Sequence, residues 1–149
     1  MKLEQIFSVS LIYASIRSAT PIIYAALCAA ITQQADILNI GTEGIMLTGA
    51  FAAFAVSYFS GSWLMGILAA MMAGFVISGI MAVGHIKYKA DICAIGMGIN
   101  LFALAITKFM LNVIFDTSGT FTDPDVKAIP RVDIPFIKNI PILKDIFND

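Results

Sequence analysis

The sequence predicts an all-α, polytopic membrane protein of about four transmembrane helices, with a broken or re-entrant segment near residues 36–44. Three observations carry that prediction. Of the 149 residues, 59% are hydrophobic and only 13% charged, where an ordinary soluble domain has roughly 45–50% and roughly 25%. The charges are also unevenly placed: nine of the nineteen lie in 1–115 and ten crowd into 116–149. Between Glu43 and Lys87 there is none over 43 residues. A soluble core of this size has too little interior to hide such a run, whereas a bilayer accommodates it. The net charge of −1 offers no basic nucleic-acid surface. Cys28 and Cys93 both lie in apolar runs, which fits small packing residues rather than a disulfide framework or a zinc site. Soluble enzymes, nucleic-acid binders and disulfide-stapled secreted modules are thereby excluded.

Residues 1–17 mix Lys2, Glu4 and Arg17 with Ile, Phe, Val and Leu and read as an interfacial amphipathic lead-in. They lack the compact apolar stretch and Ala-x-Ala site of a signal peptide. A helix crosses the hydrocarbon with about 20 apolar residues. The first span is placed at 18–35, with Pro21 near its start, where helices tolerate proline. The uncharged run 44–86 is too long for one span and is punctuated by Ser60-Gly61-Ser62. It therefore divides into helices at 44–59 and 63–86. The fourth span covers 92–115, with Lys108 near enough to its end to snorkel. Tyr58, Trp63 and Tyr88 fall where an interfacial aromatic belt is expected.

The 85–91 loop holds Lys87 and Lys89, so the positive-inside rule places it in the cytoplasm. Counting along the chain then puts the 60–62 turn, the N-terminus and the tail outside. From Asp116 the composition changes: Pro124, Pro130, Pro135 and Pro141 interrupt any long helix. The 116–149 segment reads as a Pro-rich extramembrane loop, and Pro141–Asp149 has the pattern of a short amphipathic surface helix.

Within the third span Gly66, Ala70, Gly74, Ser78 and Ala82 recur at every fourth position. Such a row lets another helix backbone approach closely, although Gly and Ala are common in membrane helices in any case. Asn39-Ile-Gly41-Thr-Glu43-Gly44 makes a poor uninterrupted helix. Helix breaks at membrane depth survive where protein or water surrounds the freed backbone, and in transporters they line substrate sites. Asn39 and Glu43 are thus substrate-pathway candidates. The plainer reading makes Glu43 a helix-start carboxylate in an aqueous loop.

A second glycine-interrupted start, Ile95-Gly96-Met-Gly98-Ile-Asn100, opens the fourth span and hints at an internal repeat. Asn100 lies inside that span, facing a neighbouring helix or a cavity. Interhelical hydrogen bonding is the first reading for it and solute contact the second. His85, the only histidine, belongs to the basic loop, and nothing stands at metal-ligand spacing from it. Neither a phosphate-binding Gly-x-x-x-x-Gly-Lys-Ser/Thr nor a Ser/His/Asp or HExxH arrangement occurs, so no enzymatic activity and no cofactor are expected in this chain.

Arg17-Ser-Ala-Thr-Pro21, followed by Ala35-Asp-Ile-Leu-Asn39-Ile-Gly-Thr-Glu43-Gly-Ile-Met-Leu-Thr-Gly-Ala50-Phe, resembles the membrane subunits of ABC importers. The similarity is to the branched-chain amino acid and simple sugar family, and within it to the nucleoside-type branch. That branch carries arginine–x–alanine–threonine–proline followed by valine–asparagine–isoleucine–glycine–x–glutamate–glycine. Asn39, Ile40, Gly41, Glu43 and Gly44 match it, and Leu38 replaces the valine. Ile95–Leu101 resembles the family's glycine- and asparagine-containing helix, and 134–143 its proline-rich external loop.

The resemblance implies a multi-pass protein of a bacterial plasma membrane that carries nucleosides or related small polar solutes. It also implies a cytoplasmic ABC ATPase that binds the ATP, an extracellular substrate-binding lipoprotein, and a second permease half or subunit, in contact with lipid and with no nucleic acid. Family permeases continue into further helices after the external loop, where the segment docking on the ATPase lies. The chain is therefore expected to be an N-terminal half, whether truncated product, pseudogene fragment or split subunit, that does not couple ATP hydrolysis alone. Length and span count also admit a self-contained four-helix exporter or channel, oligomerising through the Gly66–Ala82 face, or a non-transporting remnant.

Overall fold

The computed structural model describes residues 9–116, and these are helical with short connections: α1 Val9–Gln33, α2 Thr42–Ser60, α3 Trp63–Ile86 and α4 Ile92–Phe115. Each is long and apolar enough to cross a membrane. At 1.5 Å per residue α3 and α4 are about 36 Å long and α2 about 28 Å, against a hydrocarbon thickness of about 30 Å. The described residues fall into two compact units that divide within α1, 9–26 in one and 27–116 in the other. The Pro-rich segment after Asp116 and the surface helix read at 141–149 lie outside the described residues.

Among the described residues α1 runs from Val9, so 9–17 are helical and continuous with the first span. Pro21 accordingly sits inside the helix and not near its start. Having no amide hydrogen, it removes the donor that the Arg17 carbonyl would otherwise meet. The hydroxyls of Ser15 and Thr20 donate back to the Leu11 and Ile16 carbonyls at 2.8 and 2.9 Å. They need no outside partner in an apolar setting.

In the second unit α2, α3 and α4 pack on one another, most extensively α2 on α3. The α2–α3 hairpin turns on Gly61, which takes the left-handed conformation (φ 62°) and donates its amide to the Ser57 carbonyl at 2.9 Å. That conformation is nearly free for glycine and costly for other residues. Past the turn the helix backbones meet at Gly66, where an added Cβ would stand 2.8 Å from the Ala53 carbonyl oxygen and 3.2 Å from the Ser57 Cβ. At the far end of α3, the Lys87 amide donates to the Val83 carbonyl and that of Ala90 to the Gly84 carbonyl. The His85 Nδ1 lies 3.0 Å from the Ala90 carbonyl; a carbonyl only accepts, so Nδ1 carries the proton. Asp91 then caps α4, its Oδ1 accepting the Ala94 amide at 2.9 Å.

Large side chains do not fill this interior. Among the described residues the buried apolar ones are Met81, Ile99 and Ala103, with Ser57 and Thr107 as buried polar ones. Glycine and alanine bring backbones together in place of a hydrophobic core, as expected where lipid removes the hydrophobic drive between helices. At the opposite end from the α4 cap, Phe115 meets Phe54 and Tyr58, each with ring centroids 5.3 Å apart. Most large residues of α3 other than Met81 are exposed, with Phe75 75% exposed and Met71 65%. Such a surface belongs against hydrocarbon or further helices.

Candidate functional site

The segment joining α1 to α2 is built by side chains and main chain that each close one local gap. Helix α1 ends in paired bonds, Ile37 N–H to the Thr32 carbonyl at 3.2 Å and Asp36 N–H to the Gln33 carbonyl at 3.0 Å. Asp36 lies at φ 61°, the left-handed residue that this helix end requires. The Ile40 amide then donates to the Leu38 carbonyl at 3.1 Å, and the Thr42 hydroxyl to the Asn39 carbonyl at 2.9 Å.

Helix α2 begins with no cap of its own. Its N-cap position is Gly41, which has no side chain to offer. The exposed amides of a helix start need acceptors, above all where water is scarce. Asn100, on α4, supplies one: its Oδ1 accepts the Gly44 amide at 2.7 Å. Its Nδ2 donates to the Ile40 carbonyl at 3.0 Å. One carboxamide thus clamps both sides of the break. The break consequently closes at Gly41, with Thr42, Glu43 and Gly44 already helical, rather than reaching residue 44.

Three glycines make this approach possible. A Cβ on Gly44 would stand 2.9 Å from Asn100 Oδ1 and 3.0 Å from the Ile99 carbonyl oxygen. One on Gly96 would stand 2.9 Å from the Gly41 nitrogen and 3.2 Å from the Ile40 Cβ. Gly41 faces the Gly96 Cα and the Met81 sulfur, both 3.4 Å from its Cβ position. The two glycine motifs that resemble each other in sequence are therefore in contact. Gly98 differs, since nothing lies within 4 Å of its Cβ position.

The remaining sequence-predicted residues divide around this clamp. Asn39 is half-buried, and its Oδ1 is enclosed with no hydrogen-bond partner among the described residues. Glu43 is exposed in the first turn of α2, where a negative charge complements the helix dipole. On α3, Gly66 abuts α2, Ala70 has its carbonyl oxygen 3.6 Å from the Cβ position of Gly49, and the Cβ position of Gly74 lies 3.7 Å from Ile45 Cγ2. Ser78 and Ala82 are exposed and continue the row away from that contact. No group of three or more His, Cys, Asp or Glu side chains suited to a metal occurs among the described residues.

Sequence reasoning missed Met81 beneath Gly41 and Thr107 on α4. Thr107 is 7% exposed, and its hydroxyl has no partner among the described residues. It stands seven positions after Asn100, two helical turns along the same face, a spacing that was available to find it.

Comparison with known proteins adds three relatives and a family. Residues 11–141 match the family described as branched-chain amino acid transport system / permease component. A guanosine ABC transporter permease protein of Bacillus subtilis is 34% identical over 99% of this chain and 47% of its own length. A nucleoside ABC transporter permease protein of Lactococcus lactis is 28% identical over 87% of this chain and 42% of its own. A putative glucose ABC transporter permease protein of Haloferax volcanii is 23% identical over 95% of this chain and 42% of its own. The chain thus spans about half the length of the curated relatives it matches. No solved structure matches it.

Proposed function

The chain belongs to the branched-chain amino acid transport system / permease component family, and on that premise we propose that it lines part of the passage of an ABC importer for nucleosides or related small polar solutes. It is a multi-pass protein of the cytoplasmic membrane, with four helices of spanning length. The observation carrying the proposal is the break before α2, bridged by Asn100, with the Asn39 carboxamide oxygen left without a hydrogen-bond partner among the described residues.

A hydroxyl-rich solute crossing a membrane has to exchange water for other hydrogen-bonding groups. The exposed Glu43 carboxylate accepts from a hydroxyl or amino group and adds charge, and the enclosed Asn39 oxygen is an unused acceptor in the same segment. Asn100 acts behind them. It fixes the backbone on which both stand, and its hydrogen bonds to Gly44 and Ile40 occupy an acceptor site and one N–H. The guanosine and nucleoside names of two relatives support a nucleoside cargo, and the glucose name of the third supports the wider class of small polar solutes. The family match favours this reading over a self-contained exporter.

In such an importer the ATP is bound by a cytoplasmic ATPase, the solute is delivered by an extracellular binding lipoprotein, and a second permease half or subunit completes the passage. The test is uptake of labelled guanosine into vesicles carrying this chain together with those partners. Uptake that falls at least about tenfold with Glu43→Gln, the size of a lost charge-assisted contact, is the expected result. Guanosine uptake unchanged by Glu43→Gln and by Asn39→Ala together removes the site from the pathway.

A further inference from the structure

The outward face of α3 carries a groove that the transport reading leaves unused. It has a volume of about 520 Å³ and is lined by Phe75, Val76, Gly79, Ile80, Val83 and Tyr88, among others. Its floor is Gly79, which has open space where a Cβ would stand. Phe75, Val76, Ile80 and Val83 are all exposed around it. From Phe75 to Ile86 the helix rises about 16 Å, close to half of the ~30 Å hydrocarbon layer. The groove therefore runs the depth of one leaflet and ends at the 87–91 loop.

That end is basic. Lys87 and Lys89 stand on either side of Tyr88, and the Lys87 ammonium lies 5.9 Å from the Tyr88 ring centroid. Neither lysine ammonium has a hydrogen-bond or ion-pair partner among the described residues. The nearby acid, Asp91, is engaged in capping α4, and the His85 ring faces the Ala90 carbonyl. An apolar trough one leaflet deep, ending at an interfacial tyrosine with the Lys87 ammonium over its ring and Lys89 next in the chain, complements a molecule with an acyl chain and an anionic head.

We propose that this groove binds an anionic phospholipid, its acyl chain along Gly79 and its phosphate at Lys87 and Lys89. The site is separate from the α1–α2 break and stands or falls independently of the transport reading.

Native mass spectrometry of the full chain, released from nanodiscs holding equal amounts of phosphatidylglycerol and phosphatidylcholine, tests it. Retention of phosphatidylglycerol at least about fivefold over phosphatidylcholine is expected, the preference that one lysine near a membrane surface supplies. Lys87→Gln with Lys89→Gln should bring the two lipids to parity. Gly79→Leu, which fills open space, should lose the retained lipid while helix content by circular dichroism is unchanged. Equal retention of both lipids by the unmodified chain, or a preference that survives the double lysine change, overturns the proposal. So does efficient disulfide pairing of a Gly79→Cys chain carrying Cys28→Ser and Cys93→Ser, since a second copy would then occupy the groove.

Discussion

The Gly44 amide and the Asn100 side-chain oxygen lie 2.7 Å apart across 56 residues of sequence, so α4 caps the start of α2. The same carboxamide reaches the Ile40 carbonyl on the other side of the break. Asn100→Leu removes both bonds and leaves a helix-start amide and a carbonyl without partners. Interhelical hydrogen bonds in membranes average about 0.6 kcal/mol and reach about 1.7. Asn100→Leu is therefore expected to cost about 1–2 kcal/mol, measured by equilibrium unfolding in mixed micelles. Asn100→Asp retains the acceptor for Gly44 and should lose less.

Glycine substitutions on α4 separate contact from composition. Gly96→Ala places a methyl group 2.9 Å from the Gly41 nitrogen, so the helices must part or shift. Overpacking of this kind typically costs about 1–3 kcal/mol. Gly98→Ala meets nothing within 4 Å and should gain about 0.5–1 kcal/mol from helix propensity. The two thermal midpoints, compared in one detergent, are expected to move in opposite directions.

The helical fold was legible in the residues themselves. The charge-free stretch from Gly44 to Ile86 and its Ser-Gly-Ser punctuation predict the hairpin, because charge is costly in hydrocarbon and glycine turns the chain. The continuity of α1 through Arg17 was not legible in the same way. Arg17 interrupts the apolar pattern, yet the chain is helical from Val9 through it, because an exposed arginine ends an apolar run without ending a helix. The candidate site was legible as an unusual motif but not as a geometry. Asn39, Glu43 and Asn100 stand out by polarity in apolar surroundings. Nothing in sequence pairs Asn100 with Gly44, since a contact across 56 residues is set by how α4 lies along α2. Periodicity along one helix is silent on that.

The α2–α3 hairpin makes its own prediction. Gly66→Leu drives a branched side chain into the Ala53 carbonyl and Ser57, where a single Cβ already stands 2.8 Å from the carbonyl oxygen. Gly74→Ala adds a methyl group at ordinary contact distance, 3.7 Å from Ile45. Cysteine pairs bridging α2 and α3 should lose crosslinking efficiency in the first variant and keep it in the second.

Asp91 is the one side chain that caps its own helix among α2, α3 and α4. Asp91→Ala leaves the Ala94 amide without its acceptor, at a cost of about 1 kcal/mol. Hydrogen exchange should rise at the first turn of α4 and remain unchanged at α2 beyond Gly44, which Asn100 still holds.

The central claim is that the break before α2 borders the solute's path. The direct measurement is the rate of thiol labelling at position 43 in a Glu43→Cys chain, with Cys28→Ser and Cys93→Ser, assembled with its transport partners. Glu43 is exposed, so the substitution leaves the packing intact. Labelling by a small hydrophilic reagent that slows several-fold with guanosine, and recovers when the guanosine is removed, is the predicted result. A labelling rate indifferent to guanosine at concentrations that saturate uptake would contradict it.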